Sequence, residues 1–195
     1  MATIKLTEKD LLQELKQIEA AKKNPERFGL LYNKYYKQIF LFVYKRTDDP
    51  DICADVTSQV FLKAMLNLKK YTYRGVPFSA WLYRIASNEV NQFFRNKKSD
   101  RVVSMDKSDM ERVFGMVDEM PDDDTRELFR EVLLETLEEM KPEEVQIIEL
   151  RFFEKRPFAE VGYILGITEN NAKVRVYRIL ERLKKRMKKK LEGAI

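Results

Sequence analysis

The sequence predicts an all-α protein of two helical domains joined by an acidic flexible linker, the C-terminal domain a helix-turn-helix. Three observations predict this. Only 6 Gly and 6 Pro interrupt 195 residues with long runs of Leu, Lys, Glu and Arg, all good helix formers. Residues 156–186 read as two short amphipathic helices around a tight Gly166-Ile167-Thr168 turn. Between them and the N-terminal half lies a stretch without strong periodicity, rich in acids and broken by Pro121-Asp122-Asp123-Asp124.

The elements follow in order. Residues 7–21 form a short amphipathic helix with Leu11, Leu12, Leu15 and Ile18 on one side. Residues 28–46 follow Pro25 and carry Tyr32, Tyr35, Tyr36, Phe40, Phe42 and Tyr44. Asp48-Asp49-Pro50-Asp51 is a turn and a helix start, because acids and proline both suit a first helical turn. Residues 52–68 are then a helix with Val56, Val60, Phe61 and Ala64 inward, and 69–77 a loop. Residues 78–98 make a helix with a basic end. Residues 99–124 read as the linker, with one short helix around 110–117, and a second helical set occupies 125–139 and 143–152.

In the final pair, Phe158, Val161, Ile164 and Leu165 share one face, Gly166 ends the first helix and Thr168 caps the second. Ala172, Val176, Ile179, Leu180 and Leu183 face inward. That leaves Asn170, Asn171, Lys173, Arg175 and Arg178 outward, where they can donate to base edges and phosphates. An ordinary helical hairpin with a solvated basic face is the plainer alternative.

The formal net charge of +5 matters through its distribution. Residues 169–192 hold ten Lys or Arg against three Glu, whereas 104–139 hold thirteen acids against four bases. Such a chain touches a polyanion with some surfaces and avoids it with others. There is no histidine and one cysteine, Cys53, which excludes an internal disulfide, the usual zinc sites and His-dependent triads. No cofactor or metal is expected. Asp48, Asp49, Asp51 and Asp55, or Asp122 to Asp124, as magnesium ligands of a nuclease are a remote alternative to helix caps and solvated loops. The sequence shows no apolar run of membrane-span length and no signal-peptide core in MATIKLTEKDLLQEL, so it reads as cytoplasmic, without a membrane partner.

Tyr71, Tyr73, Arg74, Phe78, Trp81, Tyr83, Arg84, Asn88, Phe93, Phe94 and Arg95 interleave rings with cations and amides, extended by Lys97 and Lys98. Rings stack on unpaired bases while cations hold the backbone. Aromatics on a helix also serve as core.

The stretch FSAWLYRIASNEVNQFFRNKK (78–98) resembles the second conserved region of bacterial RNA polymerase sigma factors of the extracytoplasmic-function (ECF) type, in the sigma-70 family. DPDICADVTSQVFLKAMLNLKKY resembles the family's helix that docks on the polymerase clamp helices. LLETLEEMKPEEVQIIELRFFEKRPFAEVGYILGITENNAKVRVYRILERLKK resembles its fourth conserved region. The resemblance implies a region 2 domain over 1–100, a linker over 101–124 and a region 4 domain over 125–195. It implies binding to core RNA polymerase through Asp55, Phe61 and Leu62. Promoter DNA would meet Tyr71, Tyr73, Arg74, Trp81, Arg84, Asn88, Arg95, Lys97 and Lys98 at the minus-10 element. At the minus-35 element it would meet Asn170, Asn171, Lys173, Arg175 and Arg178. An anti-sigma protein is a further partner the family implies, and the function is transcription initiation rather than catalysis. Ser58 stands where the family commonly has Gln, Gln92 where it often has Asp, Asn171-Ala172 where Thr-Val is frequent, and Val174 where Ser is frequent. A two-domain regulator with a sensing N-terminal domain is the competing reading.

Overall fold

The computed structural model describes residues 7–97, 107–117 and 126–194. Among them every regular element is helical, as the composition predicts. The chain divides into two compact units, residues 1–102 together with 163–166, and residues 103–162 together with 167–195.

The N-terminal unit is built from α1 (Glu8–Lys23), α2 (Phe28–Thr47), α3 (Pro50–Asn67) and α4 (Phe78–Lys97). A capping box starts α1. The Thr7 hydroxyl accepts from the Asp10 N–H at 3.2 Å and the Asp10 carboxylate accepts from the Thr7 N–H at 3.0 Å. The reversal between α2 and α3 is encoded by three consecutive residues. Asp48 takes the left-handed conformation that ends α2 (φ 49°). The Asp49 carboxylate then accepts from the N–H groups of Asp51 (2.9 Å) and Ile52 (3.0 Å), and Pro50 opens α3. Asp49 is thus a side-chain cap, the structural use the sequence favoured for it. Val56, Val60, Phe61 and Ala64 are all buried, as their spacing predicts, together with Leu31, Ile39 and Phe42 of α2 and Leu82, Tyr83, Ala86 and Val90 of α4.

The C-terminal unit contains α5 (Lys107–Val117), α6 (Arg126–Glu138), α7 (Pro142–Ile148), the larger part of α8 (Phe158–Leu165) and α9 (Glu169–Ala194). The short helix expected around 110–117 is present and runs over residues 107–117. Two features differ from the sequence expectation. First, this helix is a packed part of the unit rather than of a flexible linker, with Met110, Val113 and Phe114 buried against the segment after α7 and against α9. Three apolar residues at i, i+3 and i+4 suffice for one packed stripe, but make a weak periodic signal. The acidic run 121–124 lies outside the described residues. Second, the helix expected over 143–152 widens after Ile148 into a π turn (Glu149–Phe153), closed by the Glu154 N–H on the Glu149 carbonyl at 2.9 Å. The turn tucks Leu150, Phe152 and Phe153 inward, and Lys155 (φ 55°) then reverses the chain toward α8.

Candidate nucleic-acid interface

The exposed side of α4 is set by what its other side buries. With Leu82, Tyr83, Ala86 and Val90 in the core, Arg84, Asn88, Asn91 and Arg95 fall on one solvent-facing stripe at helical spacing. Trp81 sits half-buried at the head of this stripe, and Tyr73 and Arg74 are exposed in the loop before it. Trp81 and Asn88 also line a groove of about 340 Å³ between α3 and α4, completed by Lys63, Asn67, Lys70, Ile85 and Glu89. Lys63 reaches both oxygens of Glu89 at 2.7 Å and ties the two helices together across it. Such a groove offers an aromatic wall, the exposed Lys70 and an exposed amide, with Lys63 held by Glu89. It suits an unpaired base with its phosphate.

The aromatic series of residues 71–94 divides between core and surface. Tyr83 is fully buried with its ring 4.7 Å from Phe42, and Phe78 is buried as well. Tyr71, expected at the DNA surface, is 5% exposed and packs edge-on against Phe78 at 5.1 Å and beside Trp81 at 5.1 Å. The structure therefore places Tyr71 behind Trp81 rather than on the face. Lys97 ends α4, and Lys98 lies outside the described residues.

Burial, and next the charge of Glu14, raise the Tyr71 phenol above its ordinary value. The unfolded chain thus releases this proton first, so the contribution to stability is whole below about pH 10 and is lost as pH rises further. Tyr71→Phe, which keeps the ring, is expected to lessen the fall in thermal midpoint between about pH 9 and pH 11; an unaltered alkaline profile would rule this origin out.

On α3, Asp55 is exposed on the solvent side, whereas Phe61 is 3% exposed and supports Tyr32 at 4.8 Å from within. Leu62 is exposed, and with it Met65 and Leu66, which sequence reasoning did not single out. Their signal was available: apolar residues at positions that the Val60, Phe61 and Ala64 stripe leaves outside. Three exposed apolar side chains on one helix make an apolar patch of the kind that protein partners cover.

In the C-terminal unit the turn before α9 is tightly specified. Gly166 has φ +70°, and the Ile167 N–H returns to the Gly162 carbonyl at 2.9 Å. A Cβ on Gly162 would stand 2.8 Å from the Ile167 carbonyl oxygen, so only glycine fits there. The Thr168 hydroxyl accepts from the Asn171 N–H at 3.2 Å, as its cap position predicts. Ala172, Val176, Ile179, Leu180, Leu183 and Met187 are buried. Asn170, Asn171, Lys173, Arg175 and Arg178 are all exposed. The Arg175 Nε donates to the Asn171 Oδ1 at 3.0 Å, which orients the guanidinium along the helix face before any contact.

Helix α9 is not short: its 26 residues span about 39 Å. Its outer stripe continues from Asn171, Arg175 and Arg178 through Arg182, Lys185 and Lys189. Arg182 bonds Glu144 of α7, and Lys190 bonds Glu135 of α6 (3.0 Å) and Glu139 just past its end (2.8 Å). These pairs fasten the basic helix to the unit while leaving its N-terminal half free for a polyanion. The Lys190 hydrogen bond lowers the Glu139 pKa from its ordinary value. Among the described residues no group of three or more His, Cys, Asp or Glu is placed to hold a metal ion, and no helix is long and apolar enough to cross a membrane.

Comparison with known proteins matches a stretch of each unit. Residues 31–99, which hold α3 and α4, match the family Sigma-70 region 2, and residues 136–185, which hold α8 and most of α9, match Sigma-70, region 4. The chain is 29% identical over 163 residues to the ECF RNA polymerase sigma factor BldN of Streptomyces coelicolor, a match covering 81% of this chain and 59% of BldN. It is 30% identical over 148 residues to the RNA polymerase sigma factor SigV of Bacillus subtilis, covering 75% of this chain and 80% of SigV. The chain thus spans less than two thirds of the length of BldN and most of that of SigV. The fold is shared with CnrH, solved in complex with the cytosolic domain of CnrY, at a TM-score of 0.57 and 17% identity over 92% of this chain and 97% of that one. Two family regions in order, each carrying one of the two polar stripes, lead to one conclusion: the chain belongs to the sigma-70 family of RNA polymerase sigma factors, in the ECF group.

Proposed function

We propose that this chain acts as a promoter-specificity subunit, with residues 1–100 as the minus-10 reader, residues 125–195 as the minus-35 reader and the stretch between them as the connection. The observation that carries this is the pair of exposed polar stripes on α4 and α9, each opposite a fully buried face. Asn170, Asn171, Lys173, Arg175 and Arg178 enter the major groove of the minus-35 element from the N-terminal half of α9, the usual reading end of a recognition helix. Tyr73, Arg74, Trp81, Arg84, Asn88 and Arg95 engage the minus-10 element, and the groove beside Trp81 takes a base of the non-template strand. Extruding a base costs a few kcal/mol, which stacking and hydrogen bonds in that groove offset. Asp55 and Leu62 dock on core polymerase over the buried support of Phe61. Polymerase then supplies a second anchor, so α9 need not bind free DNA tightly.

The role is that of an initiation factor and not an enzyme, exercised where polymerase works, in the cytoplasm. An anti-sigma protein is a further partner; CnrH is solved in complex with the cytosolic domain of CnrY, and the exposed Leu62, Met65 and Leu66 of this chain offer such a partner an apolar face.

The direct test is transcription in vitro with core polymerase, with and without the chain, followed by mapping of start sites. No new start sites would sink the proposal. Arg175→Ala is expected to lower minus-35-dependent transcription by about tenfold, the worth of one good base contact, with polymerase binding intact. Loss of both together would contradict the assigned role. Asp55→Ala is expected to weaken association with core polymerase, read by co-migration on a sizing column, while binding of the isolated chain to minus-35 duplex is unchanged. Wild-type association would remove Asp55 from the docking surface.

A further inference from the structure

Glu14 of α1 is sealed inside the N-terminal unit at 1% exposure, and precedes the region-2 match. Donors from two other helices converge on it. The Lys34 ammonium of α2 donates to its Oε1 at 2.7 Å, the Tyr35 hydroxyl donates to the same oxygen, and the backbone N–H of Phe78 donates to Oε2 at 3.3 Å. Phe78 is the first residue of α4, so this N–H is one that the helix cannot satisfy by itself. A carboxylate there completes the helix end and matches its positive dipole.

A buried charge is a costly way to fill space. Apolar side chains of similar volume commonly do as well or better in a core. What a carboxylate adds is direction: it holds the first N–H of α4 to one point on α1. The Phe78 ring passes that placement on, lying 5.8 Å from Tyr35, 5.1 Å from Tyr71 and 5.3 Å from Trp81. Helix α1 also packs on the 3₁₀ turn Leu68–Lys70, from which the Tyr73 and Arg74 loop departs. Lys70 of that turn and Trp81 both line the groove.

We propose that Glu14 is a positioning residue for base capture: by anchoring the start of α4 it sets the place of Trp81 in the groove. The inference rests on the minus-10 reading given above, and its test separates the two. Holoenzyme made from the full chain and core polymerase is titrated with two fluorescent probes. One is a single-stranded oligonucleotide carrying the non-template minus-10 segment of a mapped promoter; the other is a minus-35 duplex. Glu14→Gln and Glu14→Leu are each expected to lose about tenfold in oligonucleotide affinity, the loss of one stacked base, with duplex affinity unchanged. Tyr35→Phe, which removes one donor and keeps its ring, is expected to show a partial loss of the same kind, and a smaller one when added to Glu14→Gln. It carries the test if neither Glu14 variant folds. Wild-type oligonucleotide binding in folded variants would overturn the proposal, as would equal losses on both probes. If Trp81→Ala also binds the oligonucleotide normally, the minus-10 reading itself fails; if only the Glu14 and Tyr35 variants do, the positioning role alone fails.

Discussion

Trp81→Ala is expected to slow promoter opening by tenfold or more, because a stacked base is worth roughly 1–3 kcal/mol. The indole is held at the groove by rings behind it, Tyr71 and Phe78, each within 5.3 Å. Truncation removes the wall of the groove and leaves the buried rings in place, so polymerase binding and minus-35 duplex binding are expected to stay at wild-type level. Permanganate reactivity of thymines in the opened segment measures the effect, and Trp81→Phe should recover much of it. Normal opening kinetics in Trp81→Ala would show that bases are captured elsewhere on α4.

Glu160→Ala is expected to destabilise the C-terminal unit by about 3 kcal/mol or more, the cost of breaking a buried ion pair from one side. Arg156 and Glu160 are both buried, and their groups meet at 3.1 Å across the first turn of α8. The Arg156 carbonyl also accepts from Arg151 at 3.1 Å, whose guanidinium lies 4.6 Å from the Phe158 ring. The pair therefore fixes where α8 begins, and α8 with its Gly166 turn fixes α9. Denaturant melting of the full chain should show the C-terminal transition moved and the N-terminal one unmoved. A change under about 1 kcal/mol would mean that Arg156 finds full compensation from its other neighbours.

Both effects arise from features that the sequence shows unequally. The inward face of α9 was legible because Ala172, Val176, Ile179, Leu180 and Leu183 repeat at 3.6 residues, and everything outward followed by subtraction. The Asp48-Asp49-Pro50 reversal was legible because capping is local chemistry. Tyr71 was not: a ring in a loop between cations reads the same whether it faces a base or a core. Only the positions of Phe78 and Trp81 decide which. Helix α5 was legible as a short helix around 110–117, but its three-residue stripe did not show that it packs as part of the C-terminal unit. Glu14 gave no signal, since its partners lie 20, 21 and 64 residues away.

The sequence by itself determined the helical class, the order of the helices, the turn at Gly166 and the cationic face of α9. Each depends on neighbours within a few residues or on the period of a helix. The tertiary structure alone decided that Tyr71 stands behind Trp81, that α3 and α4 enclose a groove, and that a carboxylate from α1 completes the start of α4. Those are meetings between distant segments, and they follow from which faces bury one another, a property that local spacing does not carry.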